Sequence, residues 1–128
     1  RGAKDVNEQM LFHGTRSHSP HDIVLKREGF MIDYANDGFY GKAFYFAAKA
    51  SYSHAYGHFS QDSDGTQLYH MLICRVLCGC SRDMGQAIDK TMTRKALPPE
   101  DFDSIKGGPH RSSSGMSAMY VVYQDTQI

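Results

Sequence analysis

The pattern of apolar and polar positions predicts two strands in the second half of the chain. Residues 68–78 form the best strand candidate, because the run is rich in strand-forming residues and contains neither proline nor glycine. Residues 119–123, Met-Tyr-Val-Val-Tyr, predict another strand. Residues 84–111 show no clear period and include two consecutive prolines and a Gly-Gly-Pro sequence, so they predict a long irregular loop region.

Two short helices are predicted in the first half. Ser19 suits an N-cap, Pro20 suits the first helical position, and Asp22 suits the positive end of the helix dipole. Gly29 would end this helix after about two turns. Residues 47–56 carry four alanines and no helix breaker, which predicts the second helix.

The segments between these elements predict loops. Residues 33–41 combine turn-forming and aromatic residues, which indicates a loop over a pocket. Residues 60–66 are polar and contain a glycine, which indicates a surface loop. Strands separated by short helices and long loops indicate an α+β fold with an antiparallel sheet.

Composition narrows the class of protein. A chain of 128 residues suffices for one domain with its own core, and we expect residues 1–128 to be a single monomeric domain cut from a larger protein. Fourteen basic and fourteen acidic residues cancel, which argues against nucleic acid held by charge alone. The apolar stretches are too short for a membrane span, and the given sequence does not open on the charged n-region and apolar h-region of a signal peptide. Three clustered cysteines make a poor disulfide framework, so we expect an intracellular location, in the cytoplasm or nucleus.

Clusters of candidate metal ligands are explained without a metal. Cys74, Cys78 and Cys80 match no zinc template, so buried free cysteines are expected. The seven histidines are scattered and form no pair of ligands on one helix. Residues 62–65 resemble part of a calcium loop, but the glutamate ligand that should follow is absent, which predicts a turn.

His13, Gly14 and Thr15 follow an apolar run. A histidine and a glycine are common where a strand ends in a turn, and the triplet alone favours that structural interpretation. A binding role is also open, because only glycine lets a flat ring approach the backbone closely enough for the N–H and C=O of Gly14 to hold a ligand amide. His13 could then donate to a hydroxyl of the ligand, and Thr15 could add a polar contact.

Tyr45 and Tyr56 are eleven residues apart, with Ser53 between them. If residues 47–56 are helical, Ser53 and Tyr56 share one face of the helix. A flat cationic ring could then lie between the two tyrosines, held by stacking and by cation–π attraction, while Ser53 bonds its substituent. Each tyrosine alone is better explained as a core aromatic. The combined set after His-Gly-Thr favours a binding site.

Together these motifs resemble the catalytic domain of the poly(ADP-ribose) polymerases and the related diphtheria-toxin-like ADP-ribosyltransferases. The resemblance extends over about residues 10–128. It rests on five short sequences, each weak alone: Phe-His-Gly-Thr at 12–15, Tyr-Gly-Lys-Ala-Phe-Tyr-Phe-Ala at 40–47, Ala-Ser-Tyr-Ser at 50–53, Leu-Ile-Cys-Arg-Val at 72–76 and Tyr-Val-Val-Tyr at 120–123. The fold that it implies is a pair of split antiparallel sheets with short flanking helices around a cleft for NAD+.

The resemblance also implies roles for individual residues. His13 corresponds to the family's ribose-binding histidine, with Thr15 beside it. Gly14 and Ser53 correspond to the residues that hold the nicotinamide amide. Tyr45 and Tyr56 correspond to the two tyrosines that stack on the nicotinamide ring. NAD+ is then the co-substrate, no metal is needed, and nicotinamide or benzamide-like compounds are expected to bind.

Two positions depart from the family pattern. Met119 stands where the polymer-forming members carry a glutamate, the third catalytic signature position beside His13 and Tyr45. Members without this glutamate resemble mono-ADP-ribosyltransferases or inactive relatives. Ala43 stands where the family usually has glycine, and its methyl group could narrow the cleft.

Two functions remain open on this basis. The first is an enzyme that transfers a single ADP-ribose from NAD+ to a side chain of a protein acceptor, through substitution at the ribose carbon and an oxocarbenium-like state. The second is a catalytically inactive domain of the same fold that serves as an interaction module. The donor-site residues favour the enzyme, whereas Met119 and Ala43 count against it.

Overall fold

The computed structural model describes residues 6–15, 19–25, 37–51, 57–92, 102–109, 117–124 and 127–128. Its elements, in chain order, are β1 (Glu8–His13), α1 (Pro20–Leu25), β2 (Phe44–Ala47), β3 (His58–Gln61), β4 (Gln67–His70), β5 (Leu72–Leu77), β6 (Ser81–Gly85), β7 (Ser104–Gly107) and β8 (Met119–Val122). The regular elements of the described residues are therefore mostly strands, with little helix, which agrees with the sheet predicted from the sequence.

The strands of the described residues form two separate sheets. One has six strands in the order β5-β1-β2-β8-β7-β6, and the other is the β3–β4 ribbon. Most neighbours are antiparallel, as predicted, but β6 and β7 run parallel, so the expectation of a purely antiparallel arrangement is wrong at this edge. The reason is that the chain leaves β6 and returns to β7 in the same direction after residues 86–103, instead of through a tight hairpin.

The first helix is confirmed and is capped as its sequence predicts. The backbone N–H of His21 donates to Oγ of Ser19 over 3.3 Å. This bond satisfies one of the N–H groups that have no partner within the helix. The predicted end at Gly29 lies outside the described residues. Among the described residues, no helix is long and apolar enough to cross a membrane.

The second predicted helix, residues 47–56, is only partly covered. Ala47 is the last residue of β2, so the helix cannot begin there, and the helical conformation is first recorded at Ala50 and Ser51. Residues 52–56 lie outside the described part of the chain. Alanine propensity placed the start too early because the partner strand β8 pairs Met119 with Ala47 and extends the sheet to that residue.

The single strand predicted over residues 68–78 is two strands in the structure. β4 pairs with β3 in the ribbon, whereas β5 pairs with β1 in the large sheet, and Met71 lies between them. Composition alone could not show this break, because both halves consist of strand-forming residues and differ only in which partner they pair with. The turn predicted at residues 62–65 is confirmed, with the N–H of Gly65 donating to the carbonyl of Asp62 over 3.0 Å.

The region predicted as irregular, residues 84–111, contains a further strand. β7 lies between β8 and β6, and Ser104, Ile105 and Gly107 are buried. Only four residues long and with one β-branched residue, β7 is too short for a visible period. Pairing with a neighbouring strand on each side stabilises β7, although its local strand propensity is weak.

Within the described residues, the core consists of two apolar clusters that share the central strands. Phe44 and Phe46 of β2 belong to one cluster, and the alternating Ala43 and Ala47 belong to the other. On β8, Met119 likewise belongs to the second cluster, whereas the next residue, Tyr120, belongs to the first. Because both faces of β2 and β8 are covered, both strands are almost continuously apolar.

Gly41 is a position where the fold requires glycine, and we expect Gly41→Ala to be strongly destabilising. Its φ is +83°, and an added Cβ would collide with the backbone oxygen of Met92. The positive φ alone costs about 1–2 kcal/mol for alanine, and the collision should raise the total loss to roughly 3–5 kcal/mol. The measurement is the free energy of unfolding from urea titration.

Gly65→Ala is the matched control for this prediction. Gly65 has a similar φ of +89°, but an added Cβ would meet nothing within 4 Å. It should therefore lose only the conformational part, about 1–2 kcal/mol. Equal losses for the two variants would show that the contact between Gly41 and Met92 imposes no steric requirement.

All three free cysteines were expected to be buried, but the structure buries only two of them. Cys74 and Cys78 are buried, but Cys80 is exposed because it follows the end of β5 and precedes the edge strand β6. Burial raises the pKa of Cys74 to about 12 and that of Cys78 to about 11. Both thiols are therefore almost entirely protonated at neutral pH and unreactive as nucleophiles.

A maleimide should consequently modify one cysteine of the native protein rapidly, at Cys80, and all three after denaturation. Intact-mass analysis over time gives the number of additions, and peptide mapping gives their position. Rapid modification of Cys74 or Cys78 under native conditions would contradict the described core.

Candidate functional site

His13 is placed and oriented by the pairing of β1 with β2. It is the last residue of β1, and its side chain is buried at 3% exposure. Its Nδ1 lies 2.7 Å from the backbone oxygen of Tyr45. Because a carbonyl oxygen can only accept, Nδ1 must carry the proton and donate. The ring also packs against Phe46, with centroids 5.1 Å apart, so both the tautomer and the ring plane are fixed by the fold.

Tyr45 is held at both its backbone and its hydroxyl. While its carbonyl accepts from His13, its Oη accepts from the N–H of Tyr40 over 3.0 Å and donates to the carbonyl of Gly41. Burial raises the pKa of Tyr45 to about 12, against the opposing effect of the Tyr40 hydrogen bond. At neutral pH the phenol is therefore protonated and serves as a hydrogen-bond donor, not as a base.

Met119 lies on the same face of the sheet as Tyr45. It is the first residue of β8 and pairs with Ala47, while Tyr45 pairs with Val121 two residues further along β8. Tyr45 and Met119 are thus diagonal neighbours across two strands. The Met119 side chain is only 1% exposed and packs in the second core cluster, which also contains Tyr40 and Met92.

Of the four other predicted site residues, two lie within the described part of the chain and two lie outside it. Gly14 and Thr15 follow the end of β1 and are buried, with Thr15 at 5% exposure. Ser53 and Tyr56 lie outside the described residues. The structure therefore places His13, Tyr45 and Met119 on three neighbouring strands, β1, β2 and β8, with the His13 ring against Phe46 on one face of the sheet and Tyr45 and Met119 on the other.

Ala43, the second position that the motif resemblance marks as a departure from the family pattern, is completely buried. It lies directly before β2 and belongs to the second core cluster together with Tyr40 and Met119. The methyl group that distinguishes it from glycine therefore packs within the apolar core of the described residues.

Tyr40 and Tyr123 were not selected from the sequence, although a chain of hydrogen bonds links both to Tyr45. The hydroxyl of Tyr123 donates to the carbonyl of Tyr40 over 2.6 Å, and the hydroxyl of Tyr40 donates to the carbonyl of Ala87 over 2.8 Å. The sequence feature that could have indicated Tyr40 is the pair of glycines, Gly38 and Gly41, on either side of an aromatic pair. This pattern marks a tight turn with buried side chains. Within the described residues, no group of three or more metal-ligating side chains could hold a metal ion.

The chain belongs to the poly(ADP-ribose) polymerase catalytic-domain family, because the sequence model of that family matches residues 1–128. It therefore has the ADP-ribosyltransferase fold, and the enzymes of this family use NAD+ as a substrate. The resemblance inferred from the short motifs is confirmed.

Individual relatives are consistent with this membership. A protein of Dictyostelium discoideum named a probable poly(ADP-ribose) polymerase is 38% identical over 104 residues, which cover 80% of this chain and 28% of that protein. The human protein mono-ADP-ribosyltransferase PARP14 is 30% identical over 131 residues, covering 99% of this chain and 7% of that protein. Mouse protein mono-ADP-ribosyltransferase PARP12 is 36% identical over 78 residues, covering 61% of this chain and 10% of that protein. The chain thus spans less than a third of the length of each of these relatives.

Proposed function

We propose that this domain is a mono-ADP-ribosyltransferase, which transfers one ADP-ribose from NAD+ to a side chain of a protein acceptor and releases nicotinamide. The observation that carries the proposal is the 2.7 Å hydrogen bond from Nδ1 of His13 to the carbonyl of Tyr45. It joins two residues that the motifs assign to the NAD+ site and fixes their relative position. The names of the relatives PARP14 and PARP12 support transfer of a single unit.

The reaction breaks the bond between the ribose C1′ and the nicotinamide nitrogen. Nicotinamide leaves as a neutral molecule, since its positive charge is neutralised by the bonding electrons. The acceptor side chain forms the new bond to C1′ and gives its proton, where it has one, to solvent. The protein contributes by holding the leaving ring and orienting the ribose, which lowers the entropic part of the barrier.

His13 is proposed to orient the ribose through Nε2. Because Nδ1 donates to Tyr45, the neutral ring offers Nε2 as an acceptor for a ribose hydroxyl, and only the protonated ring would donate there. This refines the role suggested by the sequence, in which His13 was the donor. The ring of Tyr45 is proposed to stack on the nicotinamide, with Tyr56 on the other side and Gly14 and Ser53 on the amide.

The second candidate function is an inactive domain that serves as an interaction module. It is favoured by one feature of the site: the bonds of His13 and Tyr45 described above are all to groups of the protein itself. These residues therefore contribute to the fold even where no ligand binds. Deep burial of Met119 among apolar side chains is also compatible with such a domain.

Thermal unfolding with benzamide, a mimic of the leaving group, distinguishes these functions. A ligand present at about one hundred times its dissociation constant adds about 2.7 kcal/mol of stability. For a domain of this size, we expect an increase in Tm on the order of 10 °C. Benzoic acid, which has no amide N–H to donate, is the control ligand. An unchanged Tm up to millimolar benzamide would favour the inactive domain.

Ser53→Ala should weaken benzamide binding by roughly 1–3 kcal/mol, because the buried carboxamide loses a hydrogen-bond partner. Isothermal calorimetry measures the change in affinity. The matched control is Ser51→Ala, two residues away and exposed, which should leave the affinity unchanged. Equal affinities for Ser53→Ala and the unmodified protein would show that Ser53 does not hold the amide.

A further inference from the structure

The short turn before β2 is closed at both ends. The N–H of Gly38 donates to the carbonyl of Gly41 over 3.2 Å, and the N–H of Gly41 donates to the carbonyl of Gly38 over 3.1 Å. The same turn is tied to the segment before Met92, since the N–H of Asp89 donates to the carbonyl of Phe39 over 2.9 Å. The turn is therefore a fixed structural unit and not a loose loop.

Three phenol groups connect this turn to β2 and to the residue after β8. Tyr123 donates to the carbonyl of Tyr40 over 2.6 Å. The N–H of Tyr40 donates to Oη of Tyr45 over 3.0 Å, and Oη of Tyr45 donates to the carbonyl of Gly41. The hydroxyl of Tyr40 donates to the carbonyl of Ala87 over 2.8 Å. Each phenol has one hydrogen to donate, so all three donors are committed to backbone carbonyls.

Close packing leaves these rings little freedom to move. A Cβ added at Gly38 would lie 2.7 Å from Cζ of Tyr45, and one added at Gly107 would lie 2.7 Å from Cε2 of Tyr40. Tyr40 is completely buried, and Tyr123 is nearly so. Burial also raises the pKa of Tyr40, Tyr45 and Tyr123, so the three hydroxyls remain protonated and keep donating over the physiological range.

We propose that Tyr40 and Tyr123 are positioning residues for nicotinamide binding, and that they act by holding the ring of Tyr45 through the 38–41 turn. This inference rests on the proposed function, in which that ring stacks on the nicotinamide. In this arrangement the hydroxyl of Tyr45 makes hydrogen bonds within the protein, and its ring stacks on the ligand. Removing the hydroxyl of Tyr123 leaves the carbonyl of Tyr40 without that donor and loosens the turn that carries Tyr45.

Tyr123→Phe tests this inference with three readouts. Hydrogen exchange of the Tyr40 and Gly41 amides should accelerate by about three- to tenfold, while amides of the β1–β5 ladder remain unchanged. The dissociation constant for benzamide should rise by about three- to tenfold at a temperature where the variant is fully folded. In steady-state assays, KM for NAD+ should rise more than kcat falls, because ring placement affects binding before chemistry.

Tyr120→Phe is the matched control. Tyr120 lies within β8, three residues before Tyr123, and packs in the first core cluster, whereas Tyr40 of the turn and Tyr123 belong to the second. The same hydroxyl deletion there should change neither the exchange of the turn amides nor the benzamide affinity. Tyr45→Phe should resemble Tyr123→Phe, and the double variant should lose less affinity than the two single losses combined, because both act through one turn.

The outcomes separate this inference from the proposed function. If the unmodified protein binds benzamide and Tyr123→Phe binds it equally well, the inference is overturned while the proposed function stands. Unchanged exchange at the turn amides overturns it as well. If the unmodified protein binds no benzamide, the proposed function fails and the positioning role fails with it.

Discussion

His13→Asn is expected to abolish most transferase activity while leaving the fold and the leaving-group site intact. The asparagine side-chain amide can take the place of Nδ1 and donate to the carbonyl of Tyr45, which His13 contacts over 2.7 Å. It has no atom at the place of Nε2, through which we propose that the ribose is oriented. A misplaced ribose costs about a hundredfold in rate even where all other contacts remain. The measurement is the rate of nicotinamide release from NAD+ together with benzamide affinity.

His13→Ala and His13→Gln complete this comparison. Alanine removes both nitrogens and leaves the Tyr45 carbonyl without the His13 donor, so it should lose activity and also about 1–3 kcal/mol of stability. Glutamine should place its amide near Nε2 and lose the bond to Tyr45. If activity and benzamide affinity fall equally in His13→Ala and both survive in His13→Asn, the role of His13 is only to hold the end of β1.

Candidate site residues could be selected from the sequence, but the hydrogen bonds between them could not. His13 and Tyr45 were selected for separate contacts with a ligand, but the structure shows that the imidazole of one is bonded to the backbone of the other. This bond depends on the pairing of β1 with β2, in which Phe12 is opposite Ala47. Register between distant strands cannot be read from local residue patterns, because many alignments bury the same side chains.

The roles of Tyr40 and Tyr123 were harder to predict, because their contacts also join segments that are distant in sequence. Tyr123 belongs to a strand motif and Tyr40 to a loop, and nothing in their local sequence shows that a 2.6 Å hydrogen bond joins them across 83 positions. The requirement for glycine at Gly107 is also invisible locally, because it arises from the ring of Tyr40 lying against β7. Local patterns predicted an element correctly where residues close together in sequence determine it. Examples are the first helix, which has its own N-cap, and the turn at residues 62–65.

Any transfer by this domain should stop at one ADP-ribose per acceptor residue, without chain growth. Growth needs a ribose hydroxyl as the nucleophile, and this group is almost un-ionised at neutral pH unless a base lies within hydrogen-bond distance. By the motif resemblance, Met119 corresponds to the family's glutamate, and it offers only a weakly accepting thioether. An acceptor side chain that brings its own carboxylate or thiolate needs no such base. The structure also shows that Met119 is 1% exposed in an apolar cluster, which is a poor place for a charged base.

Incubation with labelled NAD+, followed by gel electrophoresis and intact-mass analysis, measures the product length. Discrete additions of one unit per site are expected, and a ladder of long polymer would overturn the argument. Met119→Leu should give the same products and nearly the same stability, because leucine fills a similar apolar volume. Met119→Glu should lose roughly 3–5 kcal/mol of stability, since it buries an unpaired charge among Tyr40, Met92 and their neighbours. It should not produce polymer, because the acceptor side must also bind a growing chain. Polymer formation by a stably folded Met119→Glu variant would show that this one carboxylate is sufficient.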